Sequence, residues 1–322
     1  MSRASLIPTD ASARTRIAGA LGAFAIGIAV AAQARINGAL GVRLDDGVAA
    51  ALISFGCGLL VLCVVVAGSA RLRAGAAAAR AALGTRLPWW QYAGGMCGAF
   101  YVASQGLSAA VLGVALFGVA VIAGQLTSSL VVDRLGLGPG GATAVTVPRV
   151  AGSVLALAGV IVASWGQFHA GDVWLVLLPA AAGLGIAWQQ AMNGHVGAVT
   201  GPLVATWINF GVGTVALTLA LVVEVAVRGL PERLPPDPWL YLGGFLGIAF
   251  IAMGVVVVRW VGVLLLGLGT VAGQMVGGVL LDVLFPAQRA LTVPVLVGCG
   301  ITVLAVLVAA GRSPARRPAA LA

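Results

Sequence analysis

Charge is what this chain has least of. Only 8% of its 322 residues are Asp, Glu, Lys or Arg, against about a quarter in a soluble domain. So few charges cannot cover a water-facing surface, which excludes an ordinary soluble fold and leaves lipid as the main solvent. Lysine is absent, and all 18 basic residues are arginine. The acidic residues number nine, with Glu224 and Glu232 the only glutamates. A net charge of +9 would suggest nucleic acid in a soluble protein. Here no basic stripe with interleaved aromatics exists, so no nucleic-acid partner is expected. Cys57, Cys63, Cys97 and Cys299 lie in apolar runs without a C-x-x-C pair, which supports neither a zinc nor a redox motif. His169 and His195 are far apart, so no metal site and no cofactor is expected. No G-x-S-x-G, H-E-x-x-H or P-loop motif occurs, and the carboxylates are too few and too peripheral for a hydrolase. An enzyme is not expected.

What remains is apolar. Hydrophobic residues make up 61% of the chain and mean hydropathy is +1.09. The apolar runs are each near the roughly 20 residues that a bilayer core demands of a helix. Ten spans are expected, at about 17–36, 48–67, 89–107, 109–131, 148–165, 172–192, 202–224, 239–258, 261–281 and 291–310. The runs lack the alternation of a membrane barrel. Open sheet would leave backbone groups unsatisfied in lipid, so every span must be helical. The first run exceeds the roughly 7–15 residues of a signal-peptide core and reads as a span. With a cytoplasmic N-terminus, thirteen arginines fall on the cytoplasmic side, Arg71, Arg73, Arg80 and Arg86 among them, and five on the other. This bias favours both termini inside, and an even number of spans requires the termini to share a side.

The chain repeats itself. Gln33-Ala-Arg-Ile-Asn37-Gly38 ends the first run, and Gln189-Gln-Ala-Met-Asn193-Gly194 ends the sixth, 156 positions later. Ser54-Phe55-Gly56-Cys57-Gly58 answers Asn209-Phe210-Gly211-Val212-Gly213 at an offset of 155. Gly94-Gly95, Ala123-Gly124-Gln125 and Asp133 answer Gly243-Gly244, Ala272-Gly273-Gln274 and Asp282 at 149, and Val147-Pro148 answers Val293-Pro294 at 146. The offset changes only across expected loops, as a duplicated unit with altered loops requires. Four segments follow: a cytoplasmic tail 1–16, a first five-span repeat 17–165, a second 166–310, and a cytoplasmic tail 311–322. Five is odd, so the copies enter the membrane in opposite senses. The expected fold is all-α, ten transmembrane helices as two five-helix inverted-topology repeats. That is the plan of many secondary transporters, which place the solute near the midplane and alternate access between halves. A non-transporting membrane scaffold or a channel-like facilitator is the alternative.

Polar groups in lipid are expensive and mark candidate sites. The intramembrane set is Gln33, Asn37, Ser54, Gln105, Gln125, Thr127, Gln189, Gln190, Asn193, Asn209 and Gln274. Gln33/Gln189, Asn37/Asn193, Ser54/Asn209 and Gln125/Gln274 are duplicated pairs and the candidate solute ligands, joined by Trp188 and Trp207, which lie in or beside the motifs. Gln33 and Asn37 are four apart and share a helix face; Gln189 and Asn193 repeat this. The alternative role for such amides is helix-to-helix bonding, at about 0.6 kcal/mol each. Asn37 and Asn193 each precede Gly at a span end, where Asn-Gly suits a helix terminus or hinge. Asp133 and Asp282 end the fourth and ninth spans, as candidate proton carriers if buried and solvated end charges if not. The expected partners are a small-molecule solute and the lipid bilayer, with a homodimer left open.

The five-plus-five plan with paired Q-x-x-x-N-G and I-[SN]-F-G-x-G motifs resembles the YdcZ-like branch of the drug/metabolite transporter (DMT) superfamily, over about residues 17–310. The resemblance implies a multi-pass transporter of the bacterial inner membrane, with export as one direction of transport. Distant cousins, the small multidrug resistance proteins, exchange protons through a membrane-buried Glu in their first span. This chain has no Glu or Asp anywhere in residues 17–44, which argues against the same proton-coupled cation efflux.

Overall fold

The protein is described here as a computed structural model covering residues 13–138, 141–142, 144–166, 173–228, 234–289 and 291–311. Residues 1–12 and 312–322 of the expected tails, His169, Glu232 and the Pro139-Gly140 break lie outside the described residues. Every long element is helical: α1 (Ala13–Leu44), α2 (Gly47–Gly68), α3 (Ala70–Ala82), α4 (Gly94–Ser104), α5 (Ala110–Leu112), α6 (Val114–Arg134), α7 (Val147–Ala163), α8 (Trp174–Thr200), α9 (Pro202–Arg228), α10 (Gly243–Leu284) and α11 (Val293–Ala309). No strand occurs among the described residues, apart from an isolated Leu83–Leu87 bridge. Local chemistry sets the breaks. Asp46 accepts from the Val48 and Ala49 amides, both at 2.8 Å, and starts α2, satisfying donors a helix start leaves orphaned. Pro148 and Pro294 stand in the first turns of α7 and α11, where proline's missing N–H costs nothing.

Among the described residues, seven helical stretches are long and apolar enough to cross a membrane. α7 and α11, at 17 residues each, reach about 25 Å at 1.5 Å per residue. Apart from these two short helices, the described helices differ from the ten expected spans in two places. The third expected span is built in pieces: a 3-10 turn (Trp89–Ala93), α4, a π-helical segment (Gln105–Ala109) and α5. The expected eighth and ninth spans are joined in one helical element, α10. Arg259 is the lone polar residue of the expected junction and no proline marks it, so the sequence carries no ordinary stop signal where the two arms meet.

Contacts with α1 nevertheless show that α10 turns back on itself. Gly247 lies against Gln33, Gly22 against Val257, Gly269 against Ala23, and Gly277 against Ile28 and Ala31. A straight helix would hold Gly247 and Gly277 about 45 Å apart, yet both meet α1 within a turn of each other. The two arms of α10 therefore run in opposite directions along α1.

Glycine permits this closeness. Gly27 packs on the backbone of Thr270 and Gln274, and Gly183 packs on that of Val121 and Gln125. Gly273 faces the Phe24 carbonyl, and Gly124 faces the Ala180 carbonyl. Gly152 meets Ala305 and Ala309, while Gly298 meets Gly159 and Ala163. The Phe55 and Phe210 rings stack at 4.8 Å, each over the other motif's glycine, Gly213 and Gly58. Small residues let backbones approach where lipid supplies no hydrophobic drive between helices. These contacts come in pairs, and the members of each pair are separated by the offsets of the sequence motifs.

Candidate functional site

Two amide clusters stand where the repeated motifs meet the glycine pairs. In the first, α1 presents Gln33 and Asn37 one turn apart. Gln33 Nε2 donates to the Gly243 carbonyl at 2.9 Å, and Asn37 Nδ2 donates to Gln105 Oε1 at 2.6 Å. Asn37 and Gln105 are 0% exposed, and Ser54 is buried beside them. Any β-carbon on Gly243 would collide with Asn37 Oδ1 and crowd Ser54 Oγ, so glycine is required there. Gln105 opens the π-helical segment, a widened turn that recurs at functional sites.

In the second cluster, Gln189 Nε2 donates to Asn209 Oδ1 and Asn209 Nδ2 donates to Asn193 Oδ1, both at 3.1 Å. Gly98 and Gly94 back this chain as Gly247 and Gly243 back the first. Beside it lies a cavity of about 350 Å³ lined by Gln190, Asn193, Gly194, Thr206 and Asn209 among others. The clusters thus differ in access: Gln33 and Asn37 are buried, while Asn193 is half-buried on a cavity and Gln190 is exposed.

The other expected site residues are placed as follows. Gln125 Nε2 is 3.4 Å from Gln190 Oε1, at the edge of the second cluster. Gln274 is buried and packs against Gly27 and Gly118, away from both clusters. Trp188 rests on Trp90 with centroids 5.8 Å apart, and Trp207 Nε1 donates to Cys63 Sγ at 3.2 Å; neither lines the cavity beside Asn193. One expectation is corrected. Asn37 and Asn193 cap no helix, because α1 continues to Leu44 and α8 to Thr200. Helical geometry persists past the first motif because Gly38 and Gly41 pack on the backbone of Ala110 and Gly106.

The paired carboxylates do different work. Asp282 is buried, and its oxygens accept from the amides of Val114 and Ala115 at 2.8 and 2.9 Å. They cap α6 just after Gly113, whose φ of 85° suits glycine. Asp133 instead pairs with Arg149. Removing the cap with Asp282→Ala should cost about 1–2 kcal/mol and lower the unfolding temperature in detergent. Asp282→Asn should recover part of the loss; equal losses would show that the contact is not a cap.

Gln105 is the residue that duplication concealed. It belongs to the intramembrane polar set, but its repeat counterpart, 149 positions on, is Gly254. A search for paired residues passes over it.

All-helical, apolar and carrying buried amides between closely packed helices, this is a multi-pass membrane protein of the transporter class. The chain belongs to the YdcZ family of the DMT superfamily, described as "Putative inner membrane exporter, YdcZ"; the family's sequence profile matches residues 18–162 and again 174–308. No curated protein matches the chain. A solved structure, described as "Crystal structure of protein", shares the fold with a TM-score of 0.52 at 19% identity, covering 93% of this chain and 97% of that one.

Proposed function

We propose that this chain is a secondary transporter in the bacterial inner membrane, moving a small uncharged or zwitterionic solute by alternating access between two inverted five-span repeats. The observation that carries this is the unequal state of two matching amide clusters, one sealed at Asn37 and one beside a cavity at Asn193. Two copies of one site in different states are what alternating access between repeats requires. The twofold family match and the glycine contacts at the repeat offsets support the duplication. The reversal of α10 supports ten crossings and so termini on one side, and the arginine bias favours the cytoplasmic side. The cavity-lining side chains carry no charge, which favours a neutral polar solute over a multivalent anion.

The cavity sits towards the arginine-rich end. His195 Nε2 is bonded to the Leu137 carbonyl at 3.0 Å, and Gly75 of α3, between Arg73 and Arg80, packs on Thr200. The sealed cluster lies on the end of α1 that carries the Arg43–Asp237 pair. A membrane-impermeant maleimide applied to vesicles, with the native cysteines replaced, tests the reading. Asn193→Cys should react from the arginine-rich face and Asn37→Cys should be protected. Simultaneous reaction of both positions from both faces would favour the channel-like facilitator instead.

A further inference from the structure

Three side-chain atoms of the first cluster have no partner within hydrogen-bond distance: Gln33 Oε1, Asn37 Oδ1 and Gln105 Nε2, with the Tyr101 hydroxyl also lying beside Gln105. Their residues are 4%, 0% and 0% exposed. Unsatisfied groups at such depth cost about 1–3 kcal/mol each, and the second cluster shows how the same fold avoids this. There Asn209 bridges Gln189 to Asn193. Its counterpart in the first half is Ser54, too short to bridge two amides, and Gln105 enters from the π-helical segment instead.

The inventory is two acceptors and one donor. Gln33 is held in orientation because its Nε2 must face the Gly243 carbonyl. Exchanging N and O in both Asn37 and Gln105 still leaves one acceptor and one donor from that pair, so the count is independent of amide orientation. A matching ligand group must donate twice and accept once. An alcohol donates only once. A cation would meet the amide N–H groups and no carboxylate, and a buried ion without a counter-charge is heavily penalised. A primary amide has two N–H donors and an adjacent carbonyl acceptor.

We propose that the Gln33–Asn37–Gln105 cluster is the docking point for a primary amide or urea-type group on the solute. The proposal deepens the transport reading and rests on it for how the solute reaches the cluster. Ser54→Asn should supply the missing bridge, satisfy the free amides and close the site.

The test uses full-length protein in nanodiscs with 15N-labelled glutamine, following the side-chain amide resonances of Gln33 and Gln105. Acetamide and urea should shift them saturably; ethanol and methylammonium should not. Gln105→Met should weaken acetamide binding at least about tenfold, the worth of one lost hydrogen bond. Ser54→Asn should abolish binding with an unfolding temperature equal to or above that of the wild type, which separates site closure from misfolding. The proposal is overturned if no probe shifts these resonances, if methylammonium or ethanol binds as well as acetamide, or if a folded Ser54→Asn protein binds acetamide normally. Amide binding without flux of any amide solute would sink the transport reading alone. Saturable flux with no amide binding would sink this proposal alone.

Discussion

Asn209→Leu should reduce saturable solute flux in proteoliposomes by at least about tenfold while the protein stays folded. Asn209 is the middle member of the Gln189–Asn209–Asn193 chain. Leucine has similar size but neither donates nor accepts. Both neighbours lose their partner, at about 1–3 kcal/mol for each group left unsatisfied, and Asn193 loses its fixed position on the cavity wall. Paired loss at both clusters, with Asn37→Ala and Asn193→Ala together, should remove saturable flux. Counterflow across a metabolite panel, alongside thermal unfolding of each variant, is the measurement. Unchanged flux with a lowered unfolding temperature would make these amides helix-to-helix glue.

The second large effect is on assembly. Gly273→Leu and Gly124→Leu should each destabilise the protein by more than about 3 kcal/mol, and the double variant should fail to accumulate as a monodisperse species. At each position a β-carbon would overlap a backbone carbonyl, Phe24 for Gly273 and Ala180 for Gly124. Backbone cannot rotate aside as a side chain can, so α1 must leave α10, and α8 must leave α6. Overpacking of an ordinary core costs about 1–3 kcal/mol, and a rigid obstacle takes these sites beyond it. Gly300→Leu is the control, because nothing lies within 4 Å of its β-position. It should unfold within about 0.5 kcal/mol of wild type. An equal loss at Gly300 would mean that added bulk anywhere on these helices, not close approach, decides the outcome, since leucine favours the helix more than glycine does.

Much of the two amide clusters was legible in the sequence, for a physical reason. Duplication writes itself into sequence, so Gln33 pairs with Gln189 and Asn37 with Asn193 by position alone. Amides in an apolar run stand out because lipid gives them no partner. The same filter hid Gln105, which has no duplicate, and could not foresee that Gln125 lies by the second cluster while its duplicate Gln274 packs against glycines. Asn-Gly read as a helix end because local propensity favours it there. Packing of Gly38 and Gly41 on the π-helical segment overrode that preference. Asp133 and Asp282 are equivalent in sequence, yet one meets Arg149 and the other caps α6. The partners come from other elements, and Arg149 has a valine, Val295, as its repeat counterpart.

By itself, then, the sequence determined the solvent, the secondary structure and the pairing of motifs. Too few charges leave lipid as the only environment, lipid requires every backbone group to bond internally, and apolar runs of span length must coil. These are consequences of composition and local order. Only the tertiary structure decided which amides satisfy one another, that α10 folds back along α1, and that one cluster is sealed while its twin borders a cavity. Those outcomes depend on the register between helices distant in sequence. That register is set where glycines let backbones touch, and no periodicity within a single helix encodes it.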